Sequence, residues 1–474
     1  MARDRTGDRG SVEDTNTGHF DVVVVGGGAA GVAAAIGAAK NGASTLLVEA
    51  GSLIGGGLTS GLPIMGCCNA LGEWIVGGIA RELIDTLSSI DGFVGRVFDW
   101  RLIWSVCVDP EMLKLVIIEA LERYGVRWLV GTLAVDVAAQ DGRVQNVELI
   151  SKSGRSRVPA DVIVDCSGDG DIATSAGAAF EKGSPEGEFQ PVSLILRVCN
   201  VDFDRFLVYV RDNPEDFILG EHPLIDKSPA ECAAEVYRAG IPYAALDARG
   251  PLWQQALQFG EMFPSTAIYM SPTSWRKREM TLNCTRVANV DATDSRAVSR
   301  ALGALSRQAG IALGFVRGSL PGFEEASLSA VSPWIGVRET RRIVGETVLT
   351  EGDVLGGRKS DDGVAKGGHH VDIHGDGTYQ KRTPVSGGRS YDIPYGCLIP
   401  KALTNVLVAG RCISSTREAN GSVRVMGQCL ATGEAAGTAA ALCVAEGWSD
   451  VRSVSTALLR ERLKSQGAVV DGTS

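Results

Sequence analysis

The stretch that most limits what this chain can fold into is residues 20–50, FDVVVVGGGAAGVAAAIGAAKNGASTLLVEA. Phe20 to Val25 is a β-branched run suited to a strand buried on both faces, and Gly26, Gly28 and Gly31 follow as GxGxxG. Ala29, Ala30 and Gly31 then open an alanine-rich helix to Lys40, and Leu46 to Val48 supplies a second strand. In order, the three glycines permit a tight turn, close approach of a diphosphate, and close helix–strand packing. The diphosphate sits at the helix N-terminus. Glu49, followed by Ala50, ends the second strand 23 positions after Gly26, where a carboxylate accepts hydrogen bonds from ribose hydroxyls. Strand, glycines, helix, strand and acid in this order predict a dinucleotide-binding α/β unit.

The same stretch disposes of a membrane span. Val22 to Ala39 is uncharged and long enough to be considered, but it is broken by five glycines that the nucleotide reading explains. With 474 residues the chain is long enough for two or three domains. A net charge of −10 without a basic tract argues against nucleic acid as a partner. Eleven cysteines, an odd number without a CxxC pair, indicate a reduced, cytoplasmic protein. Residues 1–19 mix both charges with Gly, Ser and Thr and read as a disordered tail without a secretory h-region.

After Glu49 the chain continues as AGSLIGGGLTSG, a glycine-rich loop in which Gly56, Gly57, Leu58 and Thr59 are candidate cofactor contacts. This loop resembles the GG extension of FAD-binding Rossmann proteins of the glutathione reductase superfamily. No second GxGxxG follows, so a separate nicotinamide domain is not expected. A helix is expected over Trp74 to Leu87, and Asp109-Pro110 should cap another that stops at a glycine. Strands joined by turns at Asp141-Gly142 and Ser153-Gly154 lead into ADVIVDCSGDGDIA, where Ser167, Gly168 and Asp169 resemble the second flavoprotein signature. A third segment, Asn405 to Ala441, has a strand at Val406–Val408, a turn at Ala409-Gly410-Arg411 and an alanine-glycine helix from Gly427 that includes Leu430. Such a helix directs its N-terminus at negative charge near the flavin.

Together these segments, with PGFEEASL, IGVRETRRIVGETVLTEGDV, HHVDIH and YDIPYGCLIPK, resemble the FAD-dependent oxidoreductase family of bacteria. That family is distantly related to fumarate reductase flavoproteins and to thiazole-synthase-like Rossmann proteins. The resemblance implies an α/β fold: a Rossmann-type FAD-binding domain (20–172 and 395–446) with an inserted α+β substrate domain (173–394) and a C-terminal segment (447–474). It also implies redox chemistry on a small-molecule substrate, and a homo-oligomer is compatible with it. Arg411 stands where many relatives carry a ribityl-binding acid, so those contacts are expected elsewhere. No histidine lies in the Gly55 to Gly61 loop, where fumarate reductase relatives can attach flavin, so the FAD is expected to be non-covalent.

Hydride transfer at flavin N5 needs a proton carrier and cations to stabilise developing charge. In a strand, His370, Asp372 and His374 share one face, which offers a histidine oriented by a carboxylate and suited to proton transfer near neutrality. The same residues could instead form a solvated polar face. His370 and His374 at i, i+4 would suit a metal only on a helix, which the surrounding glycines argue against, and no metal is expected. A calcium loop starting at Asp372 lacks its closing glutamate. By analogy with fumarate reductase relatives Arg424 points at substrate, the alternative being an ion pair with Glu418 or Glu434. Arg338 is a candidate too, whereas Arg341 and Arg342 are expected to pair with Glu339 and Glu346. Tyr391 and Tyr395 could donate protons or line the cavity, and Cys67-Cys68 could face the flavin. The function expected is dehydrogenation, desaturation or C=C reduction. The alternatives are a flavin-dependent monooxygenase, a flavin-dependent isomerase or dehydratase without net redox change, and a non-enzymatic flavin-binding module.

Overall fold

A computed structural model describes residues 18–222 and 224–473. The expected tail therefore lies outside the described residues except Gly18 and His19, whose Nε2 is 3.2 Å from an Asp161 carboxylate oxygen. The nucleotide fingerprint forms as read: β1 (Phe20–Val25), α1 (Ala29–Lys40) and β2 (Thr45–Val48). Val22, Val23 and Val24 are wholly buried, as expected of a strand covered on both faces.

Two helices follow, α2 (Gly78–Ser89) and α3 (Pro110–Arg123). The second is capped as expected, Asp109 accepting from the amides of Glu111 and Met112. The first begins four residues later than the apolar spacing indicates. Trp74 is drawn into a bridge with Cys68, and Gly78, at φ +53°, opens the helix only after its amide has donated to the Gly467 carbonyl.

The chain then runs through β3 (Arg127–Leu129), β4 (Leu133–Gln140), β5 (Arg143–Ser151) and the long β6 (Gly154–Asp165). After the insertion it returns as β7 (Val406–Val408), α4 (Met426–Ala445) and α5 (Thr456–Ser465). Strands β3, β2, β1, β6 and β7 form one parallel layer in that order. The first half of β6 pairs antiparallel with β5, and β5 with β4. This is a Rossmann-type α/β sheet with an antiparallel ribbon on one edge.

Strands Phe180–Lys182 and Arg341–Ile343 pair antiparallel where the chain leaves for the insertion and comes back. Beyond them a five-stranded antiparallel sheet and the long helix Ser295–Ser319 enclose a second core, in which Phe206, Trp253 and Phe323 are fully buried. Ile343, Val364, Val371, Ile373, Tyr391 and Ile393 bury instead in the first core, beside the parallel sheet. Among the described residues no helix is long and apolar enough to cross a membrane.

Candidate functional site

Three segments distant in sequence meet at the front of α1. Gly26 turns at φ +96°, and a Cβ there would lie 2.4 Å from the Cys166 carbonyl oxygen, so only glycine lets β1 pass β6 this closely. A Cβ on Gly31 would strike the Gly26 carbonyl. Gly28 caps α1 without a side chain, and the space its Cβ would enter is open to 4 Å. Glu49 lies at the adjacent strand end, its two oxygens accepting from the Gly27 and Gly51 amides at 2.6 Å each. Each oxygen retains a lone pair for a hydroxyl donor. Ala50 is exposed beside it.

The glycine loop crosses in front of the same helix. Gly55 donates to the Gly27 carbonyl at 2.7 Å, and a Cβ on Gly56 would come within 2.9 Å of the Gly28 Cα. Leu58 and Thr59 are buried in the 3₁₀ turn, and Gly57 faces Met426 at the start of α4. The late segment closes the third side. A Cβ on Gly410 would approach that of Ala30 to 2.9 Å, and one on Gly427 would meet the Gly66–Cys67 backbone. Leu430 is buried behind it. Helix α4, like α1, begins without a side-chain cap.

Ser167, Gly168 and Asp169 meet Gly410 and Arg411 at one corner. The Asp169 carboxylate accepts from Arg411 at 2.9 Å and from the Thr340 hydroxyl at 2.6 Å. A carboxylate thus stands beside Arg411 after all, brought there by the turn that follows β6. Nearby, the buried Asn420 gives its amide N–H to the Arg411 carbonyl while its Oδ1 has no partner, and the buried Gln428 likewise leaves Oε1 unpartnered. Buried acceptors without donors are uncommon and indicate groups that a ligand completes. Amide-lined helix starts, a carboxylate at the second strand end, glycines where any Cβ would fill the cradle, and free acceptors at the late segment fit FAD from adenosine to flavin.

The proposed chemistry residues lie where the insertion meets α4. Residues Val371–His374 form a strand, and His374 Nε2 lies 2.9 Å from Asp372 Oδ2. Gln380 donates to the other carboxylate oxygen at 2.8 Å. Arg424, one residue before the cap of α4, donates to the Asp372 carbonyl at 2.9 Å, and its buried Nε has no partner. It pairs with neither Glu418 nor Glu434. Burial tends to raise Asp372, but its contacts with His374 outweigh this and hold the carboxyl well below the usual range. Burial pushes His374 down to about 4, with Asp372 opposing. The histidine is therefore neutral at pH 7, not partly protonated as its ordinary pKa implies. With Nε2–H directed at the carboxylate, Nδ1 is left as the acceptor.

The other candidates are placed differently. His370 is buried with its ring 4.2 Å from that of His369, and burial holds both neutral. Tyr391 is fully buried and bonds Ser422 at 2.7 Å, and Tyr395 donates to the Val451 carbonyl. Burial pushes both phenols up and keeps them protonated, with both hydroxyls bonded inside the protein. Cys67 and Cys68 are buried free thiols. Arg342 pairs with Glu339 as expected, but Arg341 goes to Asp171, and Glu346 is taken by Arg452. Three ligating atoms lie close enough to share a cation only at His19, Asp21 and Asp161 among the described residues, away from His370 and His374.

Arg338 donates to the Pro191 carbonyl and the Ser193 hydroxyl, and with His374 it lines a narrow cleft. Two residues here carried no signal in the sequence. Arg286 lines the same cleft, three residues past the end of the second sheet's central strand, Glu279–Asn283. Trp334 covers Gly51 beside Glu49, its ring 2.1 Å from where a Cβ would stand.

The sequence model of the FAD dependent oxidoreductase family matches residues 21–463. No curated protein matches in sequence. Among solved structures, the chain is similar to a geranylgeranyl bacteriochlorophyll reductase-like protein of Thermoplasma acidophilum (12% identity, 95% of this chain and 84% of that one, TM-score 0.43). It is also similar to p-nitrophenol 4-monooxygenase of Pseudomonas putida DLL-E4 (14%, 94% and 83%, 0.44) and to a flavin-dependent brominase (12%, 94% and 83%, 0.44). From the family match over nearly its whole length, the chain belongs to the FAD-dependent oxidoreductase family.

Proposed function

We propose that this enzyme transfers hydride between a small organic substrate and N5 of a dissociable FAD, dehydrogenating or desaturating the substrate or reducing a C=C bond. The observation that carries the reading is the buried His374–Asp372–Arg424 assembly, set immediately before the uncapped start of α4. Bound FAD supplies the two-electron acceptor or donor. Asp372 fixes the histidine tautomer so that Nδ1 takes a proton from substrate or, after protonation, returns it. Arg424 holds positive charge at the same place as the first-turn amides of α4, and both stabilise negative charge developing beside them. Gly26 to Gly31, Glu49, Gly56 to Thr59 and Gly410 to Arg411 hold the cofactor, with Asn420 and Gln428 offering acceptors to its hydroxyl or N–H groups. As in the fumarate reductase relatives of the resemblance, an arginine directly before the late helix addresses substrate.

The test is anaerobic: a panel of small organic substrates is mixed with the flavin-loaded protein and its visible absorption followed. Bleaching with formation of an oxidised product supports the reading, and His374→Ala should slow it by about 10²-fold or more, the usual weight of a positioned base. A flavin that stays oxidised with every substrate turned over contradicts it and favours isomerisation or dehydration.

A flavin monooxygenase is the second reading. Against it stands the missing acid after the late Ala-Gly, but Asp169 brings a carboxylate to that corner. Consumption of O₂ that depends on both NADPH and substrate, with a hydroxylated product, establishes it in place of the first.

A further inference from the structure

The cleft lined by Arg286, Arg338 and His374 holds more positive charge than its surroundings neutralise. Arg286 is 9% exposed, and its guanidinium spends its bonds on the Gly375 and Tyr379 carbonyls and the Thr266 hydroxyl. Its Nε is buried without any partner. Among the described residues Arg338 bonds only the Pro191 carbonyl and the Ser193 hydroxyl. Among the described residues neither arginine has a carboxylate within 4.0 Å, unlike Arg197, Arg342 and Arg411. Arg424 adds a third cation to the assembly, 4.0 Å from an Asp372 carboxylate oxygen. Among the described residues Asp372 is the one carboxylate bonded within the assembly, and it is shared by His374, Gln380 and Arg424. Burial, reinforced by Arg424, pulls Arg338 down to about 10, the response of a cation held without a counter-ion.

Buried cations without partners are costly, and the cost is recovered when an anion completes them. A guanidinium offers a planar fork that matches a carboxylate in two-point contact. The cleft is narrow, with a cavity volume of about 10 Å³, so only a small anionic group meets the arginines without the walls parting. Tyr269, Ala267 and Pro191 line the wall beside the arginines.

We propose that Arg286 and Arg338 form a carboxylate subsite, so that the substrate is a small organic acid seated with its anionic end on these arginines and its reacting carbon toward His374. This rests on the hydride-transfer reading of the neighbouring assembly, but the subsite can be tested without turnover. Acetate, succinate and benzoate are titrated into the FAD-loaded protein, with acetamide as the neutral control and inorganic phosphate as the rival anion. Heat of binding and the flavin difference spectrum are both read.

The expected result is saturable binding of at least one carboxylate, none of acetamide, and weakening with added salt. Arg338→Gln should raise the dissociation constant about tenfold or more, and Arg338→Lys should restore part of it. Because Arg286 also braces the Gly375 turn, Arg286→Gln is compared only after its FAD content and circular dichroism match the parent. Carboxylate affinities unchanged in Arg338→Gln, or no carboxylate binding at all, overturn the subsite. Phosphate binding in preference to every carboxylate overturns the assignment to an organic acid. Carboxylate binding without any redox turnover leaves the subsite standing and removes the hydride-transfer reading.

Discussion

His374 shows how one side chain's surroundings set its chemistry. Burial removes the solvent that stabilises imidazolium, and the ring stays neutral down to about pH 4. The unfolded chain protonates near ~6.5, so between these values it binds the proton that the native site refuses. Stability is then fully present above the unfolded pKa and falls as pH drops from 7 toward 4. Each such histidine contributes a slope of up to about 1.4 kcal/mol per pH unit. His369 and His370 are shifted in the same direction. Thermal melts between pH 7 and pH 5 should show the loss, and His374→Asn should flatten the slope; an unchanged slope would show that His374 is not held neutral. At the other end of the site, Gly51→Ala must push Trp334 away from Glu49. It should weaken FAD binding several-fold, read by fluorescence titration, and Trp334→Ala should relieve the effect of Gly51→Ala.

Helix α4 carries two further devices. Gly433 and Gly437 let its backbone lie against that of α1, where a Cβ would come within 2.1 and 2.0 Å of the Ala30 and Ala34 carbonyl oxygens. Either glycine replaced by alanine must part the helices, at a cost of about 1–3 kcal/mol by the usual penalty for overpacking. A lowered melting temperature with reduced FAD content is the expected readout. Glu434, between those glycines, is 2% exposed and accepts from the Ile79 amide at the start of α2. Burial raises its carboxyl to about 7. A raised acid keeps its proton in the fold, so stability is lost as pH rises from about 4.5, the unfolded value, through 7. Glu434→Gln should therefore raise the melting temperature at pH 8 and leave it nearly unchanged at pH 5. Equal effects at both pH values would contradict a protonated Glu434.

Across the whole molecule, what was legible in the sequence was what is local. Gly26 to Glu49 lies in one continuous stretch, so its strand, turn, helix and acid could be read by spacing. The pairing of Asp372 with His374 was legible for the same reason, being two residues apart on one strand. Asp169 and Arg411 were not, because 242 positions separate partners that only the return of β7 beside β6 brings together. Arg286 gave no signal, since its surroundings come from Thr266, Gly375 and Tyr379 on separate strands and turns. The partner of the Tyr391 hydroxyl, Ser422, was not legible either, being 31 positions away on a separate helix. Trp334 lies near the neck of the insertion, and no local pattern ties it to Gly51.

The central claim is that the three segments meeting at α1 hold FAD without a covalent bond. The visible spectrum of the purified protein, followed by acid precipitation and identification of any flavin in the supernatant, tests it directly. The account predicts a yellow protein that releases intact FAD into the supernatant, with close to one flavin per chain. Flavin retained in the pellet would contradict the dissociable site, and colourless protein that takes up no added FAD would contradict the account as a whole.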